Sequence, residues 1–276
     1  MPNFSFDPNT TRWQAINALG SAMASQLAYE DAATIDATVK QWGFKQSTFI
    51  TTPPGSERDT QAFVASDDEM VLVAFRGTEP NQLEDWITDA DFKMAKTELG
   101  LVHDGFWTAL DPVWQPLQEA IGQHQNNSQS LWFTGHSLGA ALATLTVAAM
   151  RLELKPIHGL YTFGSPCVGS VDFTNQFDQD FGDFAFRYVN NVDVVTRVPT
   201  REMGYSHVGT TLTFDADGQA HADMHFWNKF LEQIKGGLEE LLAGKIAPLN
   251  DHAVKNYVNR ARKNLKRKLF KITVSL

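Results

Sequence analysis

Residues 131–150 read LWFTGHSLGAALATLTVAAM, and in this apolar run one serine, Ser137, stands between Gly135 and Gly139. A hydroxyl so placed suggests a nucleophile. Serine attacks a carbonyl carbon only when a base removes its proton, so a histidine must reach it and a carboxylate must orient that histidine. Gly135-His136-Ser137-Leu138-Gly139 is a GxSxG motif lying where the strand-like LWFTG meets the helix-like LGAALATLTVAAM. In a nucleophile elbow the serine occupies a sharp turn, and the flanking glycines lack the Cβ atoms that would collide with strand and helix. A bare match to the motif carries little weight; its position at a strand-to-helix junction strengthens it. The plain alternative is a helix entry of small residues with Ser137 as its cap.

Chain order narrows the partners. In α/β-hydrolase topology the acid follows the serine at a strand end, and the histidine comes later still, on a loop. Asp193, in YVNNVDVVTRVP, lies just past the strand-like FAFRYVNN, whereas its rivals Asp178, Asp180 and Asp183 precede that strand. This order removes His103, His124, His136 and His158 and leaves His207, His221, His225 and His252. His252 is preferred because it follows Pro248-Leu249-Asn250-Asp251 and precedes the last helix. His225, which opens a helical stretch, is second. Asp251 adjoins His252, but neighbours entering a helix point apart, so Asp193 is the better orienter. His221 and His225 have i, i+4 spacing without the glutamate of a zinc HExxH motif, and DADG at 215–218 reads as a hairpin turn rather than a calcium loop. The oxyanion of acyl transfer needs two donors. The Leu138 amide supplies one, and VLVAFRGTEP offers Thr78 for the other. This chemistry requires neither cofactor nor metal.

The elements that must carry these residues follow from periodicity. Trp13 to Asp31 has helical spacing; STFITT is a strand; QAFVA and MVLVAFRG form a hairpin across SDDE. An amphipathic helix is expected from about Pro112 to His124, then strand SLWFTG and the apolar helix from Leu138. IHGLYTFGS and DFAFRYVNN read as buried strands. Strands alternating with helices predict an α/β fold with a mostly parallel central sheet flanked by helices, in one domain over residues 1–276.

Composition sets outer bounds. With 276 residues, 43% of them hydrophobic, the chain can bury a sizeable core, and its single cysteine, Cys167, cannot form an internal bridge. MPNFSFDPNTTRWQ lacks a basic start and an apolar core, so no signal peptide is recognised and a soluble, cytoplasmic protein is the default expectation, with leaderless export as the alternative. The formal net charge is −9, yet residues 255–276 hold eight Lys or Arg and no acid, which leaves −17 on the rest and argues against nucleic acid as a partner. In the tail, Val254, Val258, Ala261, Leu265 and Leu269 share a helical face, giving a basic C-terminal helix over about 252–270. Packing of that stripe on the core is favoured over peripheral contact with an anionic membrane.

Five ordered segments, VLVAFRGTEP, EDWITDADF, VHDGF, GHSLG with YTFGSPCVG, and NNVDVVTRVP ending in DHAVKNYV, resemble the class 3 lipases typified by filamentous-fungal triacylglycerol lipases. The resemblance covers about residues 15–260. It implies an α/β-hydrolase fold, a Ser137–Asp193–His252 triad, an oxyanion hole at Thr78 and Leu138, and an acylglycerol or other ester substrate met at a lipid–water interface. It also implies a helical lid at about 80–91, where Leu83, Trp86 and Ile87 line one face. A fixed helix, as in feruloyl-esterase-like relatives, is the alternative. The chain departs from the family at Cys167 and Ser170, where arginine and asparagine are common, and this puts a supporting hydrogen-bond network in doubt. Residues 222–247 could form a second flap hinged at Gly236 and Gly237, or a helix closing the core. An esterase for soluble or feruloylated esters, or an inactive lipid-binding relative, are the competing functions.

Overall fold

The computed structural model describes residues 4–56, 59–79, 83, 92–126, 128–152, 155–190, 193–215, 217–222 and 249–274. Helices α1 (Ala15–Leu27) and α2 (Ala32–Trp42) lead into strands β1 (Gln46–Thr51), β2 (Gln61–Ser66) and β3 (Met70–Phe75). The hairpin β4 (Met94–Thr97) and β5 (Gly100–His103) precedes α3 (Asp104–His124), β6 (Ser130–His136), α4 (Leu138–Leu152) and β7 (Gly159–Phe163). The short β8 (Gly169–Ser170), α5 (Val171–Phe181), β9 (Ala185–Asn190), β10 (Tyr205–Ser206), β11 (Thr210–Phe214) and β12 (Ala220–His221) follow, and α6 (Val254–Val274) ends the fold.

The main sheet runs β1-β2-β3-β6-β7-β9-β11-β12. β3, β6, β7, β9 and β11 are parallel, and antiparallel strands close both edges. Central strands are buried on both faces, which is why they read as continuous apolar runs. Val71, Val73 and Phe75 join Leu131 and Phe133 beneath α3 and α4; Leu72, Ala74, Trp132, Tyr161 and Tyr188 pack beneath α1 and α6. Two apolar layers therefore clamp one sheet, and the expected α/β architecture is observed.

Several boundaries differ from expectation. The single helix expected over Trp13–Asp31 ends at Leu27, and Asp31 instead caps α2, its carboxylate accepting from the Thr34 amide at 2.9 Å. α3 begins at Asp104 rather than near Pro112, with Pro112 and Pro116 inside it. Its stripe of Phe106, Ala109, Leu110, Val113, Leu117 and Ile121 is continuous across both prolines, so burial outweighs the backbone bonds they delete. The small antiparallel sheet β10-β8-β5-β4 was not expected, because strands of two to four residues carry no readable alternation.

The tail follows the core-packing expectation. Tyr257, Val258 and Ala261 on α6 are buried, Leu265 packs against the same cluster, and α6 lies along α1. At the far end the Lys268 ammonium stands 3.7 Å from the centre of the Trp13 ring. Val258, Ala261 and Leu265 of the apolar stripe are thus occupied by the protein's own core. None of the described helices is long and apolar enough to cross a membrane. Introducing a carboxylate at the stripe by Ala261→Asp should lower stability by about 3 kcal/mol, read as a reduced denaturant midpoint. An unchanged midpoint would mean that α6 does not dock.

Candidate active site

β6 ends at His136 and α4 starts at Leu138, so Ser137 alone makes the turn between them. Its φ is +58°, and among the described residues it is the sole non-glycine in that region. Such a conformation costs about 1–2 kcal/mol for a residue with a Cβ. Hydrogen bonds hold it there: the Ser137 amide donates to the Phe163 carbonyl, and the Ala140 amide to the Ser137 carbonyl, both at 3.0 Å. The flanking glycines are steric necessities. A Cβ on Gly135 would lie 2.2 Å from the Gly139 carbonyl oxygen, and one on Gly139 would lie 2.4 Å from the Phe75 oxygen. Ser137 Oγ is buried and has no hydrogen-bond partner among the described residues.

Across the same sheet edge, the turn after β9 carries Asp193, and a short 3-10 turn, Leu249–His252, carries the imidazole. His252 Nδ1 lies 3.0 and 2.9 Å from the two Asp193 carboxylate oxygens. Because a carboxylate only accepts, Nδ1 carries a proton, and it is Nε2 whose lone pair the neutral ring offers as a base. Nε2 is buried without a partner among the described residues. Asp193 is 1% exposed, and its charge is met by two further donors: the Val195 amide at 3.0 Å and the Tyr257 hydroxyl at 2.5 Å. Burial, with the adjacent Asp193 charge, pushes the Tyr257 phenol well above its ordinary range and keeps it a donor. Tyr257 accepts in turn from the Asn190 amide at 3.0 Å. Gly164, at φ +61°, lets the chain pass this pair: a Cβ there would lie 2.9 Å from Asp193 Oδ2 and 3.0 Å from His252 Cε1.

The structure thus brings Asp193 and His252 together and sets Ser137 at the ends of the neighbouring strands. Leu138, half-buried, is the first residue of α4, where an amide has no partner within its own helix. Thr78, also half-buried, follows the Gly77 turn after β3. Leu83 is buried, while Trp86, Ile87 and the rest of 80–91 lie outside the described residues, as do His225 and 223–247 of the second expected flap. The rival acids have other work. Asp178 accepts from the Gly209 amide, and Asp180 pairs with Arg151. The Asp251 carboxylate faces Arg260 at 3.9 Å. His221 pairs with Asp215 at 2.8 Å, and Asp215 also accepts from the amides of Asp217 and Gln219, which is a turn rather than a cation loop.

Sequence reasoning missed Tyr257, Asn190 and Gly164. Tyr257 had a signal in DHAVKNYV, since it stands one turn into the helix that starts after the histidine. The others had none, because each acts through a long-range contact. The doubt raised at Cys167 and Ser170 resolves into a network of different composition. The Cys167 thiol, pushed up to about 12 by burial, lies 3.2 Å from His207 Nε2. Burial holds His207 well below its ordinary value, so the ring is neutral, and Nε2 donates to the Thr196 carbonyl at 2.7 Å. The Thr196 hydroxyl closes the Asp193 turn by donating to the Asp193 carbonyl at 2.8 Å. Ser170 caps α5, accepting from the Phe173 amide at 3.3 Å.

Comparison with known proteins bears on the same residues. Positions 72–203, which contain Thr78, Ser137 and Asp193, match the family model described as lipase (class 3). A secreted mono- and diacylglycerol lipase A of Penicillium cyclopium is 33% identical over 159 residues, covering 54% of this chain and 50% of the relative. Triacylglycerol lipase OBL1 of Arabidopsis thaliana is 29% identical over 252 residues, 70% of this chain and 48% of its own length. The chain spans about half the length of these curated relatives. A solved triacylglycerol lipase, described as having a serine protease triad at its catalytic centre, superposes with a TM-score of 0.61 at 26% identity, over 74% of this chain and 82% of that one. Motif order, sheet topology and sequence likeness agree in relating the chain to the class 3 lipase family, whose model matches residues 72–203.

Proposed function

We propose that this chain hydrolyses acylglycerol esters through a covalent acyl-enzyme on Ser137. The observation that carries the reading is the buried Asp193–His252 pair, which turns Nδ1 to the carboxylate, while His252 Nε2 and Ser137 Oγ are both buried with no partner among the described residues. Two buried polar atoms without a partner among the described residues cost stability, and they are worth that cost where a substrate completes them.

In the first step Ser137 Oγ bonds to the ester carbonyl carbon while its proton passes to His252 Nε2. Asp193 stabilises the imidazolium so formed. The carbonyl oxygen, now negative, is held by the Leu138 amide at the positive end of α4 and by Thr78. Collapse of the tetrahedral intermediate expels the alcohol, protonated by His252. Water then gives its proton to His252, attacks the acyl group and releases the fatty acid, restoring Ser137. No step needs a cofactor. The relatives named above support acylglycerols as the ester class, and the apolar positions Leu83, Trp86 and Ile87 support a lid that uncovers the site at a lipid surface.

Ser137→Ala tests the chemistry and the cost of the unpaired hydroxyl together. Hydrolysis of a nitrophenyl ester should fall at least about 1,000-fold. Removing a buried, unsatisfied hydroxyl should at the same time raise stability by about 1 kcal/mol, seen as a higher denaturation midpoint. Retained turnover would end the proposal. Asp193→Asn should lower kcat by about 10,000-fold while leaving the fold intact by circular dichroism. For the lid, the rate on a sparingly soluble glyceride followed across its solubility limit should jump as droplets appear, and a smooth saturation curve would count against lid opening.

A further inference from the structure

His136, the residue between Gly135 and the serine, is fully buried with both ring nitrogens engaged. Nε2 lies 2.6 Å from the backbone carbonyl oxygen of His252, and Nδ1 lies 2.8 Å from the Tyr29 hydroxyl. The imidazoles of His136 and His252 sit with centres 4.4 Å apart. A carbonyl can only accept, so Nε2 carries the proton. Burial and the neighbouring His252 hold His136 well below its ordinary value, which keeps the ring neutral and Nδ1 bare. Tyr29 is therefore the donor. The chain has one direction, from the Tyr29 hydroxyl to His136 Nδ1 and from His136 Nε2–H to the His252 carbonyl.

The same pair meets the loop that carries Thr78. A Cβ on Gly77 would lie 2.3 Å from the Tyr29 oxygen and 2.4 Å from the His136 carbonyl oxygen, so this turn closes directly onto both residues. Tyr29 itself follows α1, which ends at Leu27. On the far side, Asn190 Nδ2 donates to the Asp251 carbonyl at 2.6 Å, so two successive carbonyls of the His252 turn are held by side-chain donors from β9 and β6. The carboxylate of Asp193 fixes the direction of the His252 ring. These carbonyl contacts fix where the ring stands.

We propose that Tyr29 and His136 are positioning residues which hold the His252 turn and the Thr78 loop in register with Ser137. The inference rests on Ser137, Asp193 and His252 acting as the triad. Neither Tyr29 nor His136 exchanges a proton with substrate; each acts through the backbone of a neighbour. A core histidine that merely fills space would serve as well if replaced by an apolar side chain of similar size. A positioning histidine would not, because an apolar ring leaves the His252 carbonyl unsatisfied and the turn free to shift.

Four proteins decide it: the parent chain, Tyr29→Phe, His136→Gln and His136→Leu, each measured for kcat and KM on a soluble nitrophenyl ester and for its denaturation midpoint. In Tyr29→Phe kcat should drop about 10- to 100-fold, the scale of a displacement of about 1 Å between reacting groups. KM should stay within about twofold, because ground-state binding is untouched. Glutamine can donate to the His252 carbonyl and accept from Tyr29, so His136→Gln should recover most of the kcat that His136→Leu loses. In the parent, 15N spectra of the imidazoles should show His136 as the Nε2–H tautomer. A Tyr29→Phe kcat within about twofold of the parent, a glutamine variant no better than leucine, or an Nδ1–H tautomer would each overturn the proposal. A parent chain that neither turns over the ester nor reacts with a fluorophosphonate would instead overturn the triad, and the positioning role with it.

Discussion

A side chain held at φ +58° between a buried strand and a buried helix survives only where its surroundings leave it no other conformation. Here the confinement is extreme. Gly135 and Gly139 press backbone on backbone, Gly139 lies against the end of β3, and Gly77 closes from the next loop, so that none of the three has room for a methyl group. The strain at Ser137, about 1–2 kcal/mol, is small beside the apolar burial that β6 and α4 gain by packing on both sides of it. The sheet therefore absorbs the strain and the hydroxyl stays fixed.

The second constraint is electrostatic. A buried carboxylate is tolerated only when it is paired and hydrogen-bonded, and Asp193 is held by an amide, a phenol and an imidazole. Each donor comes from a different place: its own turn, the final helix and the turn before that helix. The charge thereby ties α6 to the end of β9. The long helix that encloses one face of the core also carries Tyr257 and follows directly on the turn that carries His252, so its docked apolar stripe serves stability and site geometry at once.

Behind the Asp193 turn, the network through Cys167, His207 and Thr196 shows how a departure from a family pattern can be accommodated. Cysteine offers less hydrogen-bonding capacity than arginine, and a neutral histidine donating to a backbone carbonyl closes the turn. Arg187 lies in the same interior, where burial brings it down to about 10, and its guanidinium donates to the Thr211 hydroxyl at 2.5 Å. A cation is thus retained near the turn, although it comes from a strand rather than from the loop after β7.

By itself the sequence determined what depends on local pattern. Apolar runs marked β3, β6, β7 and β9, the GxSxG glycines marked the elbow, and chain order pointed to Asp193 and His252. These were legible because strand burial, tight turns and helix starts leave signatures within a few residues. α3 was legible only in part, since its prolines mimic a helix start while its apolar stripe runs straight through them. Tyr29, 107 residues from His136, and Asn190, 61 residues from the carbonyl it holds, had no such signature. Tertiary structure alone decided them, because a hydrogen bond between distant side chains depends on how elements stack, and stacking is a property of the whole fold rather than of any segment.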